Sequence, residues 1–296
     1  MIHPHDDDGR AGIEASLVSR LLAEQFPRLA HLPVRPVPVD GHDNRTYRLG
    51  DELVVRLPTA DGYVAAVGKE HHWLPVLAPR LPVPIPQLVG LGVPSAAFPR
   101  PWSIRRWLPG DTADPVRLAT STAFAGQVAG FLTALWRIDA TGGPAAGAHS
   151  FHRGASPGHY DDETRAALAR RAGEVDTARA TGVWQAALDA AYLGPPVWFH
   201  GDIAHGNLLA AGERLTAVID FGTSGVGDPA CDLVIAWTLF TGAARAVFRA
   251  AVNQPDDAWA RARGWALWKA LVSTTPQAPG GDPVDRRVID ALLGDV

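Results

Sequence analysis

The chain has 296 residues, with Lys+Arg 27 against Asp+Glu 31 and a formal net charge of −4, so it lacks the basic excess that contact with a nucleic-acid backbone requires. Hydrophobic residues make up 47% and charged residues 20%, the balance of a folded globular chain, and the length allows one large or two modest domains. The single cysteine, Cys231, cannot close an internal disulfide, which points to a reducing compartment. The opening Met-Ile-His-Pro-His-Asp-Asp-Asp has no apolar stretch behind a basic region, and the most apolar run, Leu233–Phe240, is far shorter than the roughly 20 residues of a membrane span. The expectation is a soluble, cytoplasmic protein with neither nucleic-acid nor membrane partners.

Residues 1–11 read as a solvated tail, followed by a helix from Ile13 to Phe26 with Leu17, Leu21 and Leu22 on one face. Short β-type runs come next: Val37–Val39, the polar turn Gly41-His-Asp-Asn44, Thr46–Leu49, the turn Gly50-Asp51, and Leu53–Leu57. A helix is predicted over Glu70–Leu77. It stops before Leu81-Pro-Val-Pro-Ile-Pro86, where each proline holds its predecessor extended. Leu88-Val89 and Trp102–Trp107 complete a small antiparallel sheet, and Pro109-Gly110 forms a joint. Beyond it the pattern turns helical. Phe124, Val128, Phe131, Leu132 and Leu135 fall on one helix face, and helices are predicted over Asp162–Arg171, Thr181–Leu193, Ala230–Phe240 and Trp259–Leu271. Between them lie the loop 141–157 and a β segment of Val197–Phe199, Leu208-Leu209 and Leu215–Ile219.

That β segment carries the chemistry, in Val197-Trp-Phe-His-Gly-Asp-Ile-Ala-His-Gly-Asn-Leu-Leu209 and Ala217-Val-Ile-Asp-Phe-Gly222. Asp202 sits in a turn after an apolar strand, Asn207 follows five residues on, and Asp220 ends a second apolar strand. A base, an amide oxygen and a second carboxylate at adjacent strand ends suit Mg²⁺-nucleotide chemistry, because Mg²⁺ takes hard oxygen ligands and keeps positions for water and phosphate. The order is that of the phosphotransfer template: a catalytic-loop Asp, an Asn five residues later, then an Asp-Phe-Gly Asp.

With Gly227-Asp-Pro-Ala-Cys-Asp-Leu233 added, the ordered set resembles the aminoglycoside phosphotransferase family over about residues 35–275. The resemblance implies an α+β, two-lobed, protein-kinase-like fold: a small antiparallel-sheet N-lobe with hinge over residues 1–108 and a mainly helical C-lobe over 109–296. It implies a phosphotransferase that moves the γ-phosphoryl group of Mg-ATP or Mg-GTP to a small-molecule hydroxyl, an antibiotic such as an aminoglycoside first, as monomer or homodimer. Asp202 would be the catalytic base, and Asn207 and Asp220 would hold Mg²⁺. On the nucleotide side, Asp43 and Asn44 belong to a turn covering the phosphates. Arg56 would supply the strand cation, paired with Glu70, and Arg106 and Leu108 would sit at the hinge.

One departure stands out. The strand position that carries lysine in kinases carries Arg56, and the chain's two lysines, Lys69 and Lys269, lie elsewhere. Gly201 replaces the arginine that senses a phosphorylated activation loop, and only Thr223–Val226 separate Asp220-Phe-Gly222 from Gly227, which favours a small-molecule kinase over a protein kinase. Asp228 and Asp232 read as structural caps. The histidines lack metal-ligand spacing, and the ten tryptophans read mainly as core. Asp161–Glu163 and Asp256-Asp257 are available to a cationic acceptor, and tryptophans to an apolar one such as a macrolide. A peptide antibiotic or hydroxylated metabolite as acceptor, a nucleotide-binding scaffold without transfer, and a Mg²⁺-dependent phosphohydrolase compete with this reading.

Overall fold

The computed structural model describes residue 10 and residues 12–38, 40–41, 43–272 and 283–294; the predicted tail apart from Arg10, together with Val39 and His42, falls outside them. The chain divides into two compact units, Met1–Pro79 with Pro84–Pro109, and Arg80–Val83 with Gly110–Val296.

In the first unit, helix α1 (Ala15–Gln25) precedes strands β1 (Val34–Pro36), β2 (Asn44–Leu49) and β3 (Leu53–Pro58), helix α2 (Val64–Leu77), and strands β4 (Leu88–Gly92) and β5 (Trp102–Arg106). The strands form one antiparallel sheet in the order β1-β2-β3-β5-β4. Side chains alternate across it. Tyr47, Leu49, Val55, Leu57, Trp102 and Ile104 share a core with Leu17, Val18, Leu21 and Leu22 of α1, each large apolar side chain stabilising by about 1.5–3 kcal/mol when fully buried. The other face carries Arg56 and Arg105 on neighbouring strands. Helix α2 starts six residues before the predicted Glu70, because Ala65-Ala-Val-Gly68 helps build a helix without an apolar stripe to announce it.

The second unit contains β6 (Asp111–Thr112), α3 (Pro115–Leu118), α4 (Thr122–Trp136), α5 (Asp161–Arg170), α6 (Thr177–Asp189), β7 (Val197–Phe199), β8 (Leu208–Ala211), β9 (Arg214–Val218), β10 (Gly225–Gly227), α7 (Ile235–Thr238), α8 (Gly242–Val252), α9 (Asp256–Val272) and α10 (Pro283–Gly294). Ser121 caps α4 through the Phe124 N–H, and its predicted apolar face, Phe124, Val128, Phe131, Leu132 and Leu135, is fully buried. The helix predicted over Ala230–Phe240 is instead a 3₁₀ turn, Pro229–Val234, running into the single turn α7. Asp228 caps that turn through the Ala230 N–H, and the tighter winding keeps Asp232 fully buried. Helices α8 and α10 had no counterpart in the sequence reading. Among the described residues no helix is long and apolar enough to cross a membrane.

Candidate active site

Strand β7 delivers His200, Gly201 and Asp202 into a turn that only glycine permits at its centre. Gly201 has φ +87°, and a Cβ there would lie 2.9 Å from the Thr223 carbonyl oxygen. The turn is held from beneath by Asp232, whose carboxylate accepts the His200 N–H at 3.0 Å and the Gly201 N–H at 2.7 Å, with Trp136 Nε1 donating at 3.4 Å. Burial pushes the Asp232 carboxyl up. His200 Nδ1 accepts the Asp202 N–H at 3.2 Å, which puts the ring proton on Nε2, 3.0 Å from the Ile219 carbonyl.

Asp202 is gripped on both oxygens. Asn207 Nδ2 donates to its carbonyl at 2.9 Å and to Oδ2 at 3.0 Å; Lys269 Nζ, from α9, donates to Oδ1 at 2.7 Å. Burial alone would raise this carboxyl, but Lys269, helped by His200 and then Arg153, brings it down to about 2. Asp202 is therefore a carboxylate, competent to accept a proton. Around it lie Arg153, Ile203, Val234, Trp265, Trp268 and Lys269. Arg153 stacks 4.5 Å from the Trp268 ring centroid, Tyr160 stacks on the same indole at 4.3 Å, and Trp268 Nε1 donates to Glu163 at 2.8 Å. The wall is aromatic, with two cations and one acid around it.

The Ile219 N–H donates to the Asn207 carbonyl at 2.9 Å, so Asn207 is tied to the residue before Asp220. Asp220 adopts φ +66°, a left-handed conformation that Asp tolerates, and the chain turns there into Phe221–Thr223. The donor chemistry fits magnesium. With Nδ2 spent on Asp202, Asn207 keeps its amide oxygen for a cation, and Asp220 adds a carboxylate. Among the described residues no group of three or more His, Cys, Asp and Glu could hold a metal, so there is no all-protein cage. Two hard oxygen ligands completed by water and phosphate is the usual protein share for Mg²⁺.

The first unit holds the nucleotide-side candidates. The Asp43 carbonyl accepts the Thr59 N–H at 2.9 Å, closing the polar turn, and Asn44 opens β2. Arg56 lies 4.0 Å from Glu70, but the main partner of Glu70 is Arg105, which donates to both carboxylate oxygens at 3.1 and 2.6 Å. Burial of Glu70 works to raise its pKa, and Arg105 followed by Arg56 outweighs it and brings it down. The expected Arg56–Glu70 pair is thus a three-way cluster led by Arg105. The Arg106 side chain is exposed and 3.8 Å from Glu52, and its backbone N–H donates to the Gln87 carbonyl. Leu108 follows at the end of this unit, half-buried.

Two residues the sequence reading left out, Arg105 and Lys269, thus hold candidates in place. Arg105 shares a sheet face with Arg56, so strand alternation is a signal for it; Lys269 meets Asp202 across 67 residues of chain, and no local pattern marks it. Asp228, four residues before Asp232, binds Arg261 of α9 at 2.6 and 3.3 Å, both side chains buried.

The model of the "Phosphotransferase enzyme family" matches residues 33–265. The chain belongs to that family. Among solved structures, the GDP complex of wild-type aminoglycoside 2'-phosphotransferase-IIIa is similar to this phosphotransferase with TM-score 0.70 and 18% identity, covering 87% of this chain and 90% of its own. The macrolide 2'-phosphotransferase MphH from Brachybacterium faecium, an apoenzyme, is similar with TM-score 0.58 and 23% identity over 94% and 98%. The streptomycin-ATP ternary complex of APH(2")-IIa is similar with TM-score 0.60 and 16% identity over 99% and 97%. None of the curated proteins matches the chain. These similarities establish the protein-kinase-like α+β fold that the sequence motifs implied.

Proposed function

We propose that this phosphotransferase moves the γ-phosphoryl group of Mg-ATP or Mg-GTP to a hydroxyl of a small molecule. The observation that carries the reading is Asp202: an ionised carboxylate fixed by Asn207 and Lys269 in a recess walled by Trp265 and Trp268. Asp202 takes the hydroxyl proton as the acceptor oxygen attacks phosphorus in line, and the bond to the nucleoside diphosphate breaks with its electron pair. Asn207 and Asp220 hold magnesium, which when bound neutralises charge on the transferring phosphoryl and the leaving diphosphate. Residues 1–108 serve the nucleotide, with Asp43 and Asn44 in the turn over its phosphates, Arg56 as the phosphate cation supported by Glu70, and Arg106 and Leu108 at the base. Residues 109–296 carry the chemistry and the acceptor.

An aminoglycoside is the first acceptor to test, supported by family membership and by Glu163, an acid held against the wall through Trp268. A macrolide is the second, in keeping with the aromatic residues Trp265 and Trp268 that line the recess beside Asp202. The test is release of nucleoside diphosphate from ATP and then GTP with Mg²⁺, over aminoglycosides, macrolides, tuberactinomycin-type peptides and amino alcohols, with D202A as control. Acceptor-dependent release that vanishes in D202A supports the reading. Release without an acceptor favours a hydrolase, and binding without turnover favours a scaffold.

A further inference from the structure

Lys269 lies beyond residue 265, where the family match ends, and nothing in the motif set assigns it a task. Its surroundings do. It stands in α9, a helix whose register is fixed at three other points. Arg261 is locked onto buried Asp228. Gly264 lets the helix approach Ala187 and Trp184, where a Cβ would lie 2.4 Å from that of Ala187. Trp268 donates to Glu163. A helix pinned this way presents its next side chain at a set place. There the Lys269 ammonium meets Asp202 Oδ1 at 2.7 Å, with the lysine side chain 37% and the aspartate side chain 35% exposed. An exposed ion pair between two mobile side chains would contribute little. This one joins a rigid helix to a carboxylate whose other oxygen is already held by Asn207.

We infer that Lys269 is a positioning residue for Asp202: it fixes the carboxylate plane from the side opposite Asn207 and screens its charge as the anionic phosphoryl group approaches. The inference rests on Asp202 being the base of the proposed transfer. A carboxylate oxygen has two lone pairs, so Oδ1 can keep the lysine and still receive the acceptor hydroxyl. Proton transfer to Asp202 neutralises the partner of Lys269, and the ammonium, with three donors, then faces the newly formed phosphate ester. No atom changes hands through Lys269.

The test uses the full chain. K269M should lower kcat about 10- to 100-fold, the range that follows from misplacing a reacting group, while the KM of nucleotide and of acceptor stays within about twofold; K269R should restore most of the loss. Wild-type kcat in K269M, or equal loss in K269M and K269R with KM rising in step, would overturn the inference. A second readout is independent of turnover. The chain has two lysines, so lysine labelled with ¹³C at Cε gives two signals, assigned with K269M. D202N should shift the Lys269 signal and leave that of Lys69 in place. If that shift occurs and no acceptor is ever turned over, the pair stands and the transfer reading falls. If D202N leaves both signals unmoved, the inference falls whatever the activity.

Discussion

Replacing Arg261 by Met tests the physical account of the second unit most directly. Asp228 and Arg261 side chains are 4% and 5% exposed, with Nε to Oδ2 at 2.6 Å, and the guanidinium also reaches the carbonyls of Ala190 and Ala191 just past α6. Methionine keeps most of the volume but removes the cation and strands a buried carboxylate. Breaking a buried pair from one side costs about 3–5 kcal/mol. At about 2–4 °C per kcal/mol for a unit of this size, the melting temperature should fall by roughly 6–20 °C, read by tryptophan fluorescence or calorimetry. The double variant R261M/D228N removes the stranded charge and keeps an oxygen for the Ala230 N–H, so it should be more stable than R261M alone. A loss below about 1 kcal/mol in R261M, or a double variant that simply adds the two single losses, would refute the reasoning.

Four further outcomes follow from the same geometry. D202A should reduce acceptor-dependent transfer by about 10²- to 10⁴-fold with nucleotide affinity nearly unchanged. D220A, or removal of Mg²⁺ by chelation, should weaken nucleotide binding measured by calorimetry. R105M should make the first unit more acid-sensitive. The folded Glu70 pKa lies below the unfolded value of about 4.3, so its pairing stabilises above that value and is lost as pH falls through the folded one. Without Arg105, burial raises that pKa, and circular dichroism against pH should show unfolding begin at a higher pH. G201A places a Cβ at φ +87° against the Thr223 carbonyl, so transfer should fall sharply and stability by about 1–3 kcal/mol; wild-type turnover would contradict the described turn.

The sequence made legible what is local. His200–Asp202, Asn207 and Asp220 fall within 21 consecutive positions, and their order carries the resemblance to the family to which the chain belongs. Strand alternation likewise marked the sheet of the first unit. What it could not show is closed by long loops of chain. Glu70 finds Arg105 across 35 residues, and Asp202 finds Lys269 across 67, so the pairings themselves leave no local signature, even though strand alternation puts Arg105 on the face of Arg56. The single helix predicted over Ala230–Phe240 failed for a tertiary reason: fully buried Asp232 serves the turn at His200 and Gly201, and the backbone winds more tightly to allow it. Expected Asp228 and Asp232 capping was right in kind, yet the reach of Arg261 into Asp228 was invisible.

Asp228, which caps the Pro229–Val234 turn, and Asp232 within it divide labour. One short stretch of chain anchors the turn at His200 and Gly201 through Asp232 and the helix bearing the recess wall through Asp228. Arg261 takes the anchoring contact near the start of that helix, whereas Trp265, Trp268 and Lys269 face the recess further along it. Arg261 thus only anchors, whereas Trp268 lines the recess and also ties the helix to Glu163. An exchange at Lys269, 37% exposed, leaves the bolt that holds the helix in place, whereas an exchange at Trp265 or Trp268, each 2% exposed, also removes buried core. A saturation library at 269 should therefore yield mostly folded proteins, while one centred on 228 and 261, or on 265 and 268, should yield mostly unfolded ones.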